Sequence, residues 1–278
     1  MTFMTSPFRW TLSLAAALGI VTSAGAQEPE PQTEAETTTT TTTTTTESLT
    51  TPVRPYGRMG PEIAVSGNAG FGVGYVYKNG LSPAGTVESL KITDSAKVSI
   101  PVIAELGFRA TPRFYVGVWG SWEKVFTKTN DLSCPEGFDC STEQWRFGPE
   151  VRYHIAPDAG FDPWIGLGVG LEILKSHVEG DTQVQAAPGV FVPAHVDTHV
   201  TDRGPTFARV TLGGDVRLMR ALSVGPIITA SIGSYTVRTG SQTVDITGLG
   251  SRDQPLARVD DGFHALFTVG LRLAVLPL

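Results

Sequence analysis

The sequence predicts an all-β chain, an eight-stranded antiparallel up-and-down transmembrane β-barrel preceded by a signal peptide and a disordered spacer. Three observations predict it. Between Pro61 and Leu278 there are eight stretches in which apolar residues alternate with small or polar ones, each long enough to cross a membrane as a tilted strand. The connections between them alternate in length, long then short. The positions opposite the apolar rows carry charged side chains, which lipid contact would make costly.

Residues 1–26 read as a secretory signal. Arg9 gives a positive start, Leu12 to Val21 an apolar run, and Ser23 to Ala26 the small residues of a cleavage site, with cleavage after Ala26. The run is too short for a membrane anchor. Gln27 rather than a cysteine follows, so no lipid attachment is expected. Residues 27–60 read as a disordered spacer: acidic residues among prolines, then unbroken threonine from Thr37 to Thr46, with no apolar period to build a core. Residues 61–278 are the expected barrel. The net charge of −6 includes no basic stripe, so nucleic acid is not an expected partner.

The first strand is expected at Glu62–Tyr77, with Ile63, Val65, Ala69, Phe71, Val73, Tyr75 and Tyr77 on one face. A long connection leads to the second, Lys97–Arg109, with Val98, Ile100, Val102, Leu106 and Phe108 aligned. Ala110 to Pro112 turn tightly into the third, Arg113–Val125, which aligns Phe114, Val116, Val118 and Trp122. The fourth, Thr142–Ile155, follows a long connection, and the fifth, Pro163–Lys175, a short turn. The longest connection then runs to about Pro205. The sixth strand, Thr206–Met219, and the seventh, Leu222–Val237, flank the shortest turn. The eighth, Asp261–Val275, carries Phe263, Ala265, Phe267, Val269, Leu271, Leu273 and Val275 on one face. This order puts both chain ends on the side of the short turns.

The opposite faces hold Glu105, Arg109, Glu123, Arg146, Glu150, Arg152, Glu172, Arg209, Asp215, Arg217 and Arg272. Eight strands enclose a space just wide enough for side chains to fill it. A paired ionic plug is therefore favoured over a selective pore lining or a ligand site. Aromatic girdles are expected from Tyr75, Tyr77, Trp122, Trp145 and Phe263 at the rim of the long loops, and from Phe108, Phe114 and Tyr153 at the other. Trp164, Phe207 and Tyr235 fall out of phase, which points to displaced strand ends or to bulges.

Cys134 and Cys140, with five residues between them in an exported chain, are expected to form a disulfide closing a small surface loop. In the third long loop His195, Asp197 and His199 alternate, so an extended backbone would point them to one side as metal ligands. His177 lies across the hairpin whose tip would be residues 187–189. A polar loop standing above the membrane is the plainer reading. No cofactor is expected.

With these features the chain resembles the eight-stranded outer-membrane barrels: the membrane domain of OmpA-like proteins, OmpX-like and opacity-type adhesins, and OmpW-like barrels. The resemblance rests on strand count, loop alternation, the ionic interior and the final amphipathic strand, FHALFTVGLRLAV. Such families commonly end in an aromatic residue, whereas this chain ends at Leu278. The resemblance implies the bacterial outer membrane, with the spacer and both chain ends in the periplasm. It implies lipid and lipopolysaccharide as surroundings and the barrel-assembly machinery as a partner during insertion. Some such barrels modify lipid A with a serine and a histidine, and His264 lies near the outer rim, but in the inward phase. The resulting expectation is a non-enzymatic barrel that displays four external loops for surface interaction, including contact with an extracellular ligand. The alternatives are a narrow porin-like channel for small or hydrophobic solutes and, more distantly, a lipid-modifying enzyme. A soluble lipocalin-like barrel would put its apolar residues inward instead.

Overall fold

The computed structural model describes residues 59–81, 86–129, 132–187 and 189–276. The expected signal peptide, and the spacer up to residue 58, lie outside the described residues. Eleven strands follow in chain order: β1 Gly60–Leu81, β2 Val87–Lys91, β3 Ala96–Arg109, β4 Phe114–Thr127, β5 Asp139–His154, β6 Phe161–Ala187, β7 Val190–Arg217, β8 Leu222–Tyr235, β9 Val237–Ile246, β10 Gly250–Gln254 and β11 Gly262–Val275. A single helical turn, α1 Ile92–Ser95, separates β2 from β3.

Eight of the strands close a ring. Each barrel strand pairs antiparallel with its neighbour from β1 through β3, β4, β5, β6, β7 and β8, and β11 joins β8 back to β1. The closing seam runs in continuous register from Ile63 opposite Val275 to Gly74 opposite His264. Closure removes the free sheet edges that a membrane interior would not tolerate. The short connections are hydrogen-bonded turns: the Ala110 amide donates to the Phe114 carbonyl at 2.8 Å and the Leu218 amide to the Leu222 carbonyl at 3.0 Å. The Leu276 amide donates to the Ala221 carbonyl at 2.8 Å, so the end of β11 lies beside a short turn. This is the near end of the barrel; the long connections leave from the far end.

The strand period decides what faces outward. In β3, Val98, Ile100, Val102, Leu106 and Phe108 are exposed, while Ser99, Ile103, Glu105 and Arg109 are buried. In β11, Phe263, Phe267, Val269, Leu271 and Leu273 are exposed and His264, Leu266, Thr268 and Arg272 are buried. A soluble barrel has the opposite arrangement. From Phe263 to Val275 the apolar row covers about 40 Å of strand, which at a tilt of roughly 45° stands about 28 Å tall, the thickness of a bilayer's hydrocarbon core. The outward face therefore has the chemistry and the height of a membrane-spanning barrel.

Three expectations need correction. The longest connection is not a loop. β6 and β7 stay paired to the tip of their hairpin, from Leu171 opposite Pro205 to Ala187 opposite Val190. β9 adds to β7 between Arg203–Val237 and Ala194–Ile246, and β10 adds to β9. A four-stranded sheet, β6-β7-β9-β10, thus continues beyond the far rim. Second, Trp164 and Tyr235 simply face inward, at 2% and 5% exposure. Phe207 does mark a bulge: pairing skips between Thr206 and Ala208, leaving Phe207 and Ala208 both exposed. Third, Tyr77 is not a girdle residue. Gly74 takes a positive φ of 101° and pairing skips between Tyr75 and Tyr77. Tyr77 then packs against buried apolar side chains at the far mouth.

Two glycine contacts show how the small lumen accepts large rings. A Cβ on Gly213 would overlap the Trp164 indole, and one on Gly117 would overlap the Tyr115 ring. In both places the missing side chain is the room that the aromatic occupies.

Candidate functional site

The interior is built in layers along the barrel axis. Nearest the short turns, Glu62 on β1 accepts from Arg109 on β3 at 2.7 Å. Arg109 also lies 3.6 Å from Asp162, and Asp162 meets His154 at 2.8 Å. Two further arginines reach across the lumen. Arg152 on β5 donates to Glu62 at 2.9 Å, Glu105 at 2.8 Å and Glu150 at 2.7 Å. Arg272 on β11 donates to Glu62 at 2.6 Å, Glu105 at 2.7 Å and Asp215 at 3.1 Å. Arg209 on β7 donates to Glu150 at 2.7 Å. One layer further out, Arg146 donates to Glu123 at 2.7 Å and to Ser231 at 3.2 Å. Gln144 donates to the Tyr235 hydroxyl at 2.8 Å, and His264 lies 3.0 Å from Glu172.

Aromatic rings seal the arginines. The Arg152 guanidinium lies 4.4 Å from the Tyr115 ring and 4.3 Å from Trp164, and Arg209 lies 4.4 Å from Trp119. Flat cations between ring faces leave little space for water. Above the ionic layers comes an apolar one: Val76, Leu90, Ile92, Leu174, Tyr235 and Leu266 form one buried cluster. Leu90 and Ile92 belong to the first long connection, so that segment folds back over the far mouth. The Lys128 side chain donates to the Thr93 carbonyl at 2.7 Å and ties α1 down.

Ten of the eleven residues expected in the lumen are there, none more than 3% exposed: Glu105, Arg109, Glu123, Arg146, Glu150, Arg152, Glu172, Arg209, Asp215 and Arg272. Arg217 is not. It ends β7 and is exposed, donating to the Pro157 carbonyl at 3.4 Å. Glu62, His154 and Asp162 were missed, although the most connected carboxylate is among them. Glu62 shares the inward phase of Ser66 and Asn68, and His154 that of Arg152, so period alone would have found both. Asp162 falls where the sequence reads as a turn.

The Cys134–Cys140 disulfide forms, with 5.9 Å between the Cα atoms. The ring nitrogens of His264 meet the Gly262 carbonyl and Glu172, and the ring stacks on Tyr235 at 4.4 Å. Beyond the far rim, Asp202 takes both ends of Arg238 at 2.7 and 2.8 Å. His195, Asp197 and His199 lie on the outer sheet, on the face that continues the barrel's outward one, with His177 opposite His199. The hydrogen bond between His195 and Asp181 at 2.8 Å raises the histidine's pKa above its ordinary value, and Glu179 adds to the effect.

No family model matches the sequence, and no curated protein matches it. Solved structures do show a likeness. Neisserial surface protein A is 12% identical, over 77% of this chain and 97% of that one, with a TM-score of 0.37. The outer membrane protein OprG from Pseudomonas aeruginosa is 11% identical, over 80% and 99%, with a TM-score of 0.42. The attachment invasion locus protein Ail of Yersinia pestis is 9% identical, over 77% and 98%, with a TM-score of 0.34. The barrel fold stands on the closed strand register, independently of these likenesses.

Proposed function

We propose that this chain is a closed, non-enzymatic barrel of the bacterial outer membrane, a rigid base that holds an external β-sheet and loops at the cell surface. One observation carries this reading: Arg152 and Arg272, each bonded to three carboxylates, bridge the lumen at 1% exposure. A solute would have to break several charge-assisted bonds in a space already filled, and then displace the apolar layer around Ile92. Buried ion pairs contribute little net stability. Their value here is to fill a space that lipid-facing strands cannot fill with apolar side chains without losing the contrast between the two faces. In an outer membrane the short turns and both chain ends face the periplasm, and the long connections face outward. Lipid and lipopolysaccharide then surround the apolar band, and the barrel-assembly machinery inserts it. The paired state of His264 favours a structural role for it over lipid-modifying chemistry.

Liposome swelling tests the base against the narrow channel. Proteoliposomes of the full chain are expected to admit arabinose no faster than empty vesicles, and the E62Q/E105Q double variant to admit it measurably. Uptake by the wild-type chain at a porin-like rate would overturn the closed reading.

A further inference from the structure

The outer sheet carries a cluster that the plugged barrel does not explain. Three rows of side chains line one face of the β6–β7 ribbon: His177 opposite His199, Glu179 opposite Asp197, and Asp181 opposite His195. β9 extends the second and third rows with Thr243 and Asp245. Lys175 lies on this face one row nearer the barrel, and Arg203 two rows nearer. The face continues the barrel's outward surface, so it stands just above the apolar band and is open to the medium.

We propose that His177, Asp197 and His199 form a binding site for a transition-metal dication of the zinc class. Their donor atoms converge. The Asp197 carboxylate oxygen lies 3.1 Å from His177 Nε2 and 3.2 Å from His199 Nε2. All three atoms lie within 4.8 Å of one another. Zinc bonds of about 2.0–2.1 Å place tetrahedral ligands about 3.3 Å apart, so the two measured edges are close to those of a zinc tetrahedron. The register gathers these groups before any metal arrives: directly paired residues stack the two imidazoles 4.1 Å apart and 6° from parallel, and rotation of the rings about their side-chain bonds would aim both Nε2 lone pairs at one ion. Asp197 sits two residues along from His199, on the same face. The carboxylate of Glu179 approaches His177 Nε2 to 3.9 Å and is placed to give a fourth oxygen or to hold a metal-bound water. His195 stands one row further out and is engaged by Asp181 at 2.8 Å and Glu179 at 3.3 Å, so it is not one of the ligands.

Two imidazoles and a carboxylate select zinc, copper or nickel over the oxygen-seeking calcium and magnesium. An acidic patch would not discriminate in this way. The ligand side chains are between about one-third and three-fifths exposed, at 36%, 42% and 59%, which leaves a metal free access. On coordination the proton on each Nε2 must leave, passing through solvent to Nδ1 from a neutral ring or to solvent from a charged one, and Asp197 changes from hydrogen-bond acceptor to ligand.

The test uses the full chain, free of any polyhistidine tag, refolded in detergent micelles and stripped with EDTA. Zinc is titrated by calorimetry and cobalt by visible absorption. One equivalent of zinc is expected to bind, and cobalt to give the intense bands of a tetrahedral site. H177A and H199A are expected to weaken zinc binding by on the order of 10- to 100-fold or more, since the loss of even an outer-shell partner costs that much. D197N keeps the side-chain shape, so it tests the same site without risk to the sheet, and is expected to weaken binding by at least about tenfold. H195A is expected to change it less than about threefold, below the loss usual for an outer-shell partner. Calcium binding as tight as zinc, wild-type zinc affinity in H177A, H199A or D197N, or equal loss in H195A and H199A would each overturn the assignment. None of these outcomes bears on whether the barrel is closed.

Discussion

At the scale of single residues, Glu62, Arg152 and Arg272 organise the lumen. Removing one partner from a buried ionic network strands the others, at a cost of about 3–5 kcal/mol. R272M leaves Asp215 without its guanidinium and should lower the unfolding free energy by that amount, read from urea titration in micelles. R217M, at an exposed strand end, should stay within about 0.5 kcal/mol of the wild type. A similar loss in both would show that the lumen network is not what the interior depends on. G213V places a side chain where the Trp164 ring lies. Overpacking of this kind costs about 1–3 kcal/mol or more, and should appear as a lower urea midpoint together with altered near-ultraviolet circular dichroism. The lumen charges were legible because charge on the face opposite an apolar row has one low-cost destination. Their partners were not. Which arginine meets which carboxylate depends on ring closure, and Glu62 bonds Arg272 across 210 positions of sequence.

At the scale of elements, the barrel strands were legible and the outer sheet was not. Within the membrane, lipid imposes an unbroken alternation, so β3 and β11 can be read almost to the residue. Beyond the rim both faces can meet water, and the alternation of β6 and β7 fades to scattered valines between polar residues. Val196, Val200 and Val244 lie on the face opposite the histidines, and Val244 is 5% exposed. What fixes those strands is pairing with β9, a partner some 40 residues on, which local pattern does not reveal. The sheet should therefore unravel separately from the barrel. V244D is expected to open β9 and β10 to limited proteolysis while the protein keeps the heat-modifiable gel migration of a folded barrel. Loss of both together would contradict that independence. The disulfide belongs to the same scale. It closes a seven-residue loop, worth about 2 kcal/mol in chain entropy, so C134S/C140S should loosen the loop that precedes β5 and leave the lumen intact.

At the scale of the whole molecule, the two faces of the barrel are inverted relative to a soluble one: Leu271 is 66% exposed while its neighbour Arg272 is 1% exposed. Folded protein should partition into detergent and precipitate when detergent is removed, which a lipocalin-like barrel would not do. The same inversion separates structure from activity. The membrane demands an apolar exterior and eight strands leave a lumen that side chains fill, so the proposed function assigns surface interaction to the outer sheet with its loops. Single-channel recording in planar bilayers tests that account most directly. The wild-type chain should insert without a reproducible open level, and the E62Q/E105Q variant should show one. A stable open level in the wild type that shifts when Glu105 or Arg146 is neutralised would contradict the closed barrel.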